Sequence, residues 1–108
     1  MFSLIESVDK PHEGPPPHVH HREDETFHVL EGEYEFICGG QQHSVSKGAT
    51  IFAPRDVPHN YKCVSQTGGR LLVMISPAGF EVFFEEVSGM TDVGRVVEIA
   101  GRYGAEFV

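Results

Sequence analysis

Glycine and proline interrupt the first three-quarters of this chain so regularly that only short extended segments fit between them. Turn signals separate runs at residues 2–8, 19–21, 26–30, 33–38, 41–45, 50–53, 59–63 and 70–76. Eight short strands spaced by turns predict a sandwich or barrel rather than βαβ units. Gly39-Gly40 is a two-residue hairpin signal, because a type I′ turn needs positive φ at both central positions. Gly32 breaks the third run from the fourth in the same manner. At 108 residues the chain is one domain, long enough for a single core but too short for two.

Side-chain alternation orients several of these runs. Glu25, Phe27 and Val29 share one face, which sets a carboxylate among apolar groups. Tyr34, Phe36 and Cys38 share a face of the next run, opposed by Glu33 and Glu35. Residues 71–75 are apolar on both faces, the pattern expected of a strand covered on both sides.

The period changes after residue 76. Ser76-Pro77 reads as an N-cap with proline at the first helical position. Phe80, Phe83, Phe84 and Val87 follow at i, i+3, i+4 and i+7, although a strand through Phe80, Val82 and Phe84 fits nearly as well. A second helix is expected from Thr91 or Asp92, with Val93, Val96, Val97 and Ala100 as its apolar stripe and Gly104 as its C-cap. Strands over about 1–76 and two short helices over about 77–104 make up the expected architecture.

Composition excludes several classes of function. Eight basic against sixteen acidic residues give a net charge of −8, which repels phosphate backbones, so a nucleic-acid partner is not expected. The longest apolar run, residues 71–75, falls far short of a membrane span. Glu6 and Asp9 interrupt any signal-peptide layout at the N-terminus, so a cytoplasmic location is expected. Cys38 and Cys63 form no Cys-x-x-Cys and read as reduced thiols.

The chemistry concentrates in two stretches. His18-Val-His20 lies ahead of Glu25 and Gly32, and Gly48 and Pro54 lie ahead of His59. In an extended strand residues i and i+2 share a face, so His18 and His20 can reach one ion. The spacing His-x-His-x4-Glu-x6-Gly, then Gly-x5-Pro-x4-His, resembles the paired motifs of the cupin superfamily. That resemblance spans most of residues 14–79. It implies an all-β jelly-roll β-barrel fold, with His18, His20, Glu25 and His59 as ligands of one divalent transition metal. Asp56 stands where the motif usually has glycine; aspartate tolerates the left-handed backbone that the turn requires. Cys63 stands where asparagine is usual, and reads either as a small core residue or as a soft group near the metal.

Gly14-Pro-Pro-Pro-His-Val-His20, Glu23-Asp-Glu-Thr-Phe27 and Ser76-Pro-Ala-Gly-Phe-Glu81 resemble a narrower group, the small one-domain cupins related to quercetin dioxygenases. Members usually carry more sequence ahead of the position matching Phe2. A strand at 2–8 is therefore expected near an exposed sheet edge, and a homodimer is expected to cover it.

Three imidazoles and one carboxylate admit Fe, Mn, Co, Ni, Cu or Zn. Glu25 leaves a divalent ion with a net charge of +1, which favours an anionic small-molecule ligand. The resemblance implies a dioxygenase acting on a flavonol-like or other enolisable compound, with Glu25 as proton acceptor. A metal-dependent isomerase or lyase, and a non-catalytic binding module, are the alternatives. Phe27, Phe52 and Tyr61 are expected to line the cavity. Glu23 and Asp24 are expected to face solvent, and His12, His21, His28 and His43 to stand apart from the site.

Overall fold

A computed structural model describes all 108 residues. Nine strands and two helices follow in the order β1 (Ser3–Asp9), β2 (His18–His20), β3 (Asp24–Glu31), β4 (Glu33–Cys38), β5 (Gln41–Ser46), β6 (Thr50–Ala53), β7 (His59–Cys63), β8 (Gly69–Ser76), α1 (Glu81–Val87), α2 (Val93–Arg102) and β9 (Ala105–Phe107). The strands form two antiparallel sheets, ordered β1-β8-β3-β6 and β5-β4-β7-β2-β9. Two such antiparallel sheets carry the jelly-roll architecture expected from the sequence, with β9 as an addition.

The core lies between the sheets. Phe27, Val29, Leu71, Val73 and Ile75 point inward from the first sheet, and Tyr34, Phe36 and Cys63 from the second. Each fully buried large side chain of this kind contributes roughly 1.5–3 kcal/mol relative to exposure. Asp56 adopts a left-handed φ of 67°, as its place in the turn before His59 required.

Four expectations need correction. The outer face of β8 is not covered: Leu72 is only half-buried and Met74 is exposed, while Leu71, Val73 and Ile75 are buried. Ser76 does not cap a helix, because it remains in the β8 ladder opposite Asp24, and α1 begins only at Glu81. The second helix is capped by Asp92, which accepts from the Arg95 N–H, but its buried side carries Ile99 and Ala100. Val93 and Val97 stay exposed because α2 leans on the sheets along a line rotated from the expected stripe. Finally, the chain continues beyond Gly104 into β9, a three-residue strand too short to show any period.

That last strand matters for the site. Its residues pair with β2, His18 opposite Phe107 and His20 opposite Ala105, while His18 also pairs with His59 of β7. β2 is thereby held on both edges. The β1 edge, by contrast, has a partner only in β8.

Candidate metal centre

His18, His20, Glu25 and His59 converge, as the motif spacing implied, with one potential ligand atom from each lying within 4.8 Å of all the others. Each arrives for a local reason. His18 and His20 alternate with Val19 along β2, so both imidazoles face the interior between the sheets. Glu25 stands on the inward face of β3, opposite Ile75 of β8 and Ala53 of β6. His59 opens β7 immediately after the turn at Asp56.

The backbone presets two of the imidazoles. His18 Nδ1 lies 2.9 Å from the Pro16 carbonyl, and His59 Nδ1 lies 3.2 Å from the Val57 carbonyl. A carbonyl only accepts, so each Nδ1–H donates and each Nε2 is turned to the centre. His20 Nε2 is 2.7 Å and His59 Nε2 3.2 Å from the same oxygen of Glu25. Burial alone would raise the Glu25 carboxyl. The hydrogen bond from His20 and the His59 ring beside it overcome that and hold it at about 2. Burial is also what lowers His18 to about 4, leaving it a neutral imidazole at physiological pH. Three nitrogen donors and one ionised carboxylate within so small a volume suit a divalent first-row ion.

The surrounding turn is tied down by several polar contacts. Asp24 accepts from the Arg55 backbone N–H at 2.8 Å and pairs with its guanidinium, joining the start of β3 to the loop after β6. Asp56 donates its N–H to the His20 carbonyl at 2.8 Å, and its carboxylate meets the His21 ring at 2.7 Å. Gly14 is required by close approach: a Cβ there would sit 1.8 Å from the Tyr61 carbonyl oxygen. The segment leading to His18 can therefore lie flat against β7.

A cavity of about 290 Å³ opens onto the cluster, lined by His18, His20 and Glu25. Phe27 and Tyr61 line it as expected, joined by Phe80, Phe83 and Phe107. Phe52 does not. Thr26, not Phe27, is its partner across β3 and β6, so its side chain takes the outward parity and is 58% exposed. No lysine or arginine faces the cavity. Burial pushes the Tyr61 hydroxyl well above its ordinary range, so it is a neutral hydrogen-bonding group.

Sequence reasoning missed the aromatic lining from Phe80, Phe83 and Phe107. Phe80 packs edge-on against the His20 ring at 4.4 Å, and Phe107 closes the chamber from β9. Glu23 was expected in solvent with the rest of its acidic run, yet it is only 7% exposed. The turn between β2 and β3 folds it back toward His20, three residues earlier. Cys63 packs in the core beside Tyr34, its partner across β4 and β7, and is not among the clustered ligand groups. His28 bonds Thr50 on the outer face of the first sheet, outside the cluster as its parity implied. His12 and His43 are exposed, and His21 pairs with Asp56 and Glu106.

Comparison with known proteins agrees with this geometry. The cupin domain family matches residues 6–75. This chain belongs to the cupin family. An uncharacterized protein of Aquifex aeolicus (strain VF5) is 34% identical over 62 residues, which are 57% of this chain and 50% of that protein. The match thus spans about half the length of that curated relative. Among solved structures, KdgF from a Halomonas species superposes with a TM-score of 0.70 at 20% identity, covering 75% of this chain and 73% of its own. An RmlC-like cupin from Desulfovibrio desulfuricans is 32% identical with a TM-score of 0.61, covering 70% of this chain and 72% of that one.

Proposed function

We propose that this cupin is a metal-dependent dioxygenase of small, mainly apolar molecules that carry an enolisable hydroxyl beside a carbonyl. The observation carrying this reading is the contrast between the two halves of the chamber. His18, His20 and Glu25 of the four-residue cluster gather at one end, and the rest of the lining is mainly aromatic and aliphatic, with Glu6, Ser7 and Tyr61 its polar members and no cationic partner. A ligand held there has one metal-binding anionic head and an apolar body. A sugar acid would leave several hydroxyls unpaired against Phe27, Phe80 and Phe83, which is costly in a dry site.

His18, His20, Glu25 and His59 would hold the ion. When bound, a divalent redox-active metal supplies Lewis acidity toward an enolate or phenolate and a path for electrons to dioxygen. The chain's own residues do the rest. Phe27, Phe80 and Phe83 exclude water and hold the apolar body, while Tyr61 offers a neutral hydroxyl to a substrate oxygen. Glu25 is ionised, and on loosening from the ion it would accept the hydroxyl proton on the freed carboxylate oxygen.

Oxygen uptake by metal-loaded protein with quercetin as the probe, followed in an oxygen electrode, tests the reading. Consumption that requires both substrate and metal supports it. Anaerobic turnover would instead favour an isomerase or lyase, and binding without turnover a non-catalytic module. Elemental analysis of protein purified without added metal identifies the ion among Fe, Mn, Co, Ni, Cu and Zn.

A homodimer belongs to the same proposal. β1 is an edge strand, and Leu4, Met74 and Phe52 lie in one exposed row across the outer face of its sheet. Pairing of two copies would cover both edge and row. Light scattering that gives a 12.0 kDa mass at all concentrations would refute it. The free thiols Cys38 and Cys63 favour a reducing, cytoplasmic compartment. No helix is long and apolar enough to cross a membrane.

A further inference from the structure

Two buried polar side-chain atoms lack a hydrogen-bond partner, His20 Nδ1 and Glu23 Oε1, and they face each other at 3.6 Å. A carboxylate this deeply buried ordinarily has a partner. The nearest cations are occupied elsewhere: Arg22 donates to the Arg102 carbonyl, and Arg55 pairs with Asp24. His20 Nε2 explains the gap. It lies 2.7 Å from Glu25, so without a metal its proton sits on Nε2, and the bare Nδ1 lone pair is turned toward the Glu23 carboxyl, which burial raises.

We infer that Glu23 is a positioning residue for His20, accepting the Nδ1–H hydrogen bond that forms when Nε2 gives up its proton to bind an ion. The inference rests on the metal-site reading above. The proton count is unchanged at the ring, since a neutral imidazole merely exchanges one tautomer for the other. Glu23 thereby sets His20 apart from its two neighbours. His18 and His59 are backed by neutral backbone carbonyls, whereas His20 alone is backed by a carboxylate. An anion behind a ligating imidazole fixes its orientation and raises its basicity, so His20 becomes the strongest nitrogen donor of the three.

The test uses the full chain and Zn2+, with Glu23→Gln and Glu23→Ala as variants. Competition with a chromogenic chelator should show Zn2+ binding weakened by about 10–100-fold in Glu23→Ala, the usual effect of losing such a partner. Nitrogen-15 NMR of the Zn2+-loaded wild type should show His20 protonated at Nδ1, with that proton far downfield. In both variants the His20 signal should move upfield while those of His18 and His59 stay in place. The metal-free Glu23→Gln protein should melt no lower than wild type, because a buried charge without a partner has been removed. Unchanged Zn2+ affinity together with an unchanged His20 proton in both variants would overturn the inference and leave the metal site standing. Metal-free variants destabilised in step with their loss of affinity would also overturn it, since Glu23 would then be supporting the fold. A wild-type chain that bound no Zn2+ would overturn the metal-site reading itself, and the inference with it.

Discussion

Tyr34 reaches across the core from β4 of one sheet and donates its hydroxyl to Asp9, at the end of β1 in the other, at 2.6 Å. The ring is fully buried, and burial together with Asp9 keeps the hydroxyl protonated far above its ordinary range. Tyr34→Phe would leave one Asp9 oxygen without its donor, while Ser7 still donates to the other at 3.0 Å. A loss of about 1–3 kcal/mol in urea unfolding is expected. Combining it with Asp9→Ala should cost less than the sum of the two single changes, because both remove the same bond.

His59→Ala removes a proposed ligand that also lies 3.2 Å from Glu25. Metal affinity should fall by roughly tenfold or more, given what even indirect partners contribute. The His18→Ala, His59→Ala double variant should retain no stoichiometric metal by elemental analysis. Full occupancy in that variant would place the ion elsewhere.

Glu25→Gln keeps the side-chain shape and removes its charge. Activity on a verified substrate should drop by about 10²–10⁴-fold, the range of a lost general base, and by more than metal content drops. Unchanged turnover would rule Glu25 out as the proton acceptor.

The metal-free protein should lose stability on acidification. His18 titrates at about 4 in the folded state against an ordinary 6.5, because burial disfavours its cation. Between those values the unfolded chain takes up a proton that the folded chain refuses, so stability falls as pH falls through that window. Glu25, held at about 2 against 4.5, adds a loss of the same sign at lower pH. Urea midpoints between pH 7 and pH 4 should show the slope, and His18→Gln should flatten it.

Gly14→Ala places a methyl group where the Tyr61 carbonyl already lies, at 1.8 Å. Neither backbone can yield without shifting the segment before His18. The variant should therefore lose both thermal stability and metal affinity, a joint loss that titrating Zn2+ during a thermal melt would reveal.

The four-residue cluster was readable because strand parity and turn residues fix it locally. Two histidines two residues apart share a face in any extended strand, and Pro54 with Asp56 marks the turn that delivers His59. Phe52 was misplaced because its facing depends on register: one step along β6 separates the inward Ala53 from the outward Phe52. Glu23 was hidden for a different reason. An acid within a charged run ordinarily reads as solvated, and only the fold of the turn after β2 brings it beneath His20. The α2 stripe failed because a helix with valines around much of its surface does not specify which of them meet the core; Ile99 and Ala100 do. β9 has too few residues for any pattern, and its identity as a strand comes from its pairing with β2.

The position of β2 between β7 and β9 governs when the site can exist. His18 contacts strand partners at His59 and at Phe107, so its neighbours are drawn from nearly the whole chain. Long-range pairings of this kind close late, after most of the chain entropy has been lost. Glu25 and His59 therefore join the local His18–His20 pair only once most of the jelly roll has closed. An ion that needs all four groups would select a finished jelly roll, and metal supply should then change how much of the protein is loaded without changing how fast it folds.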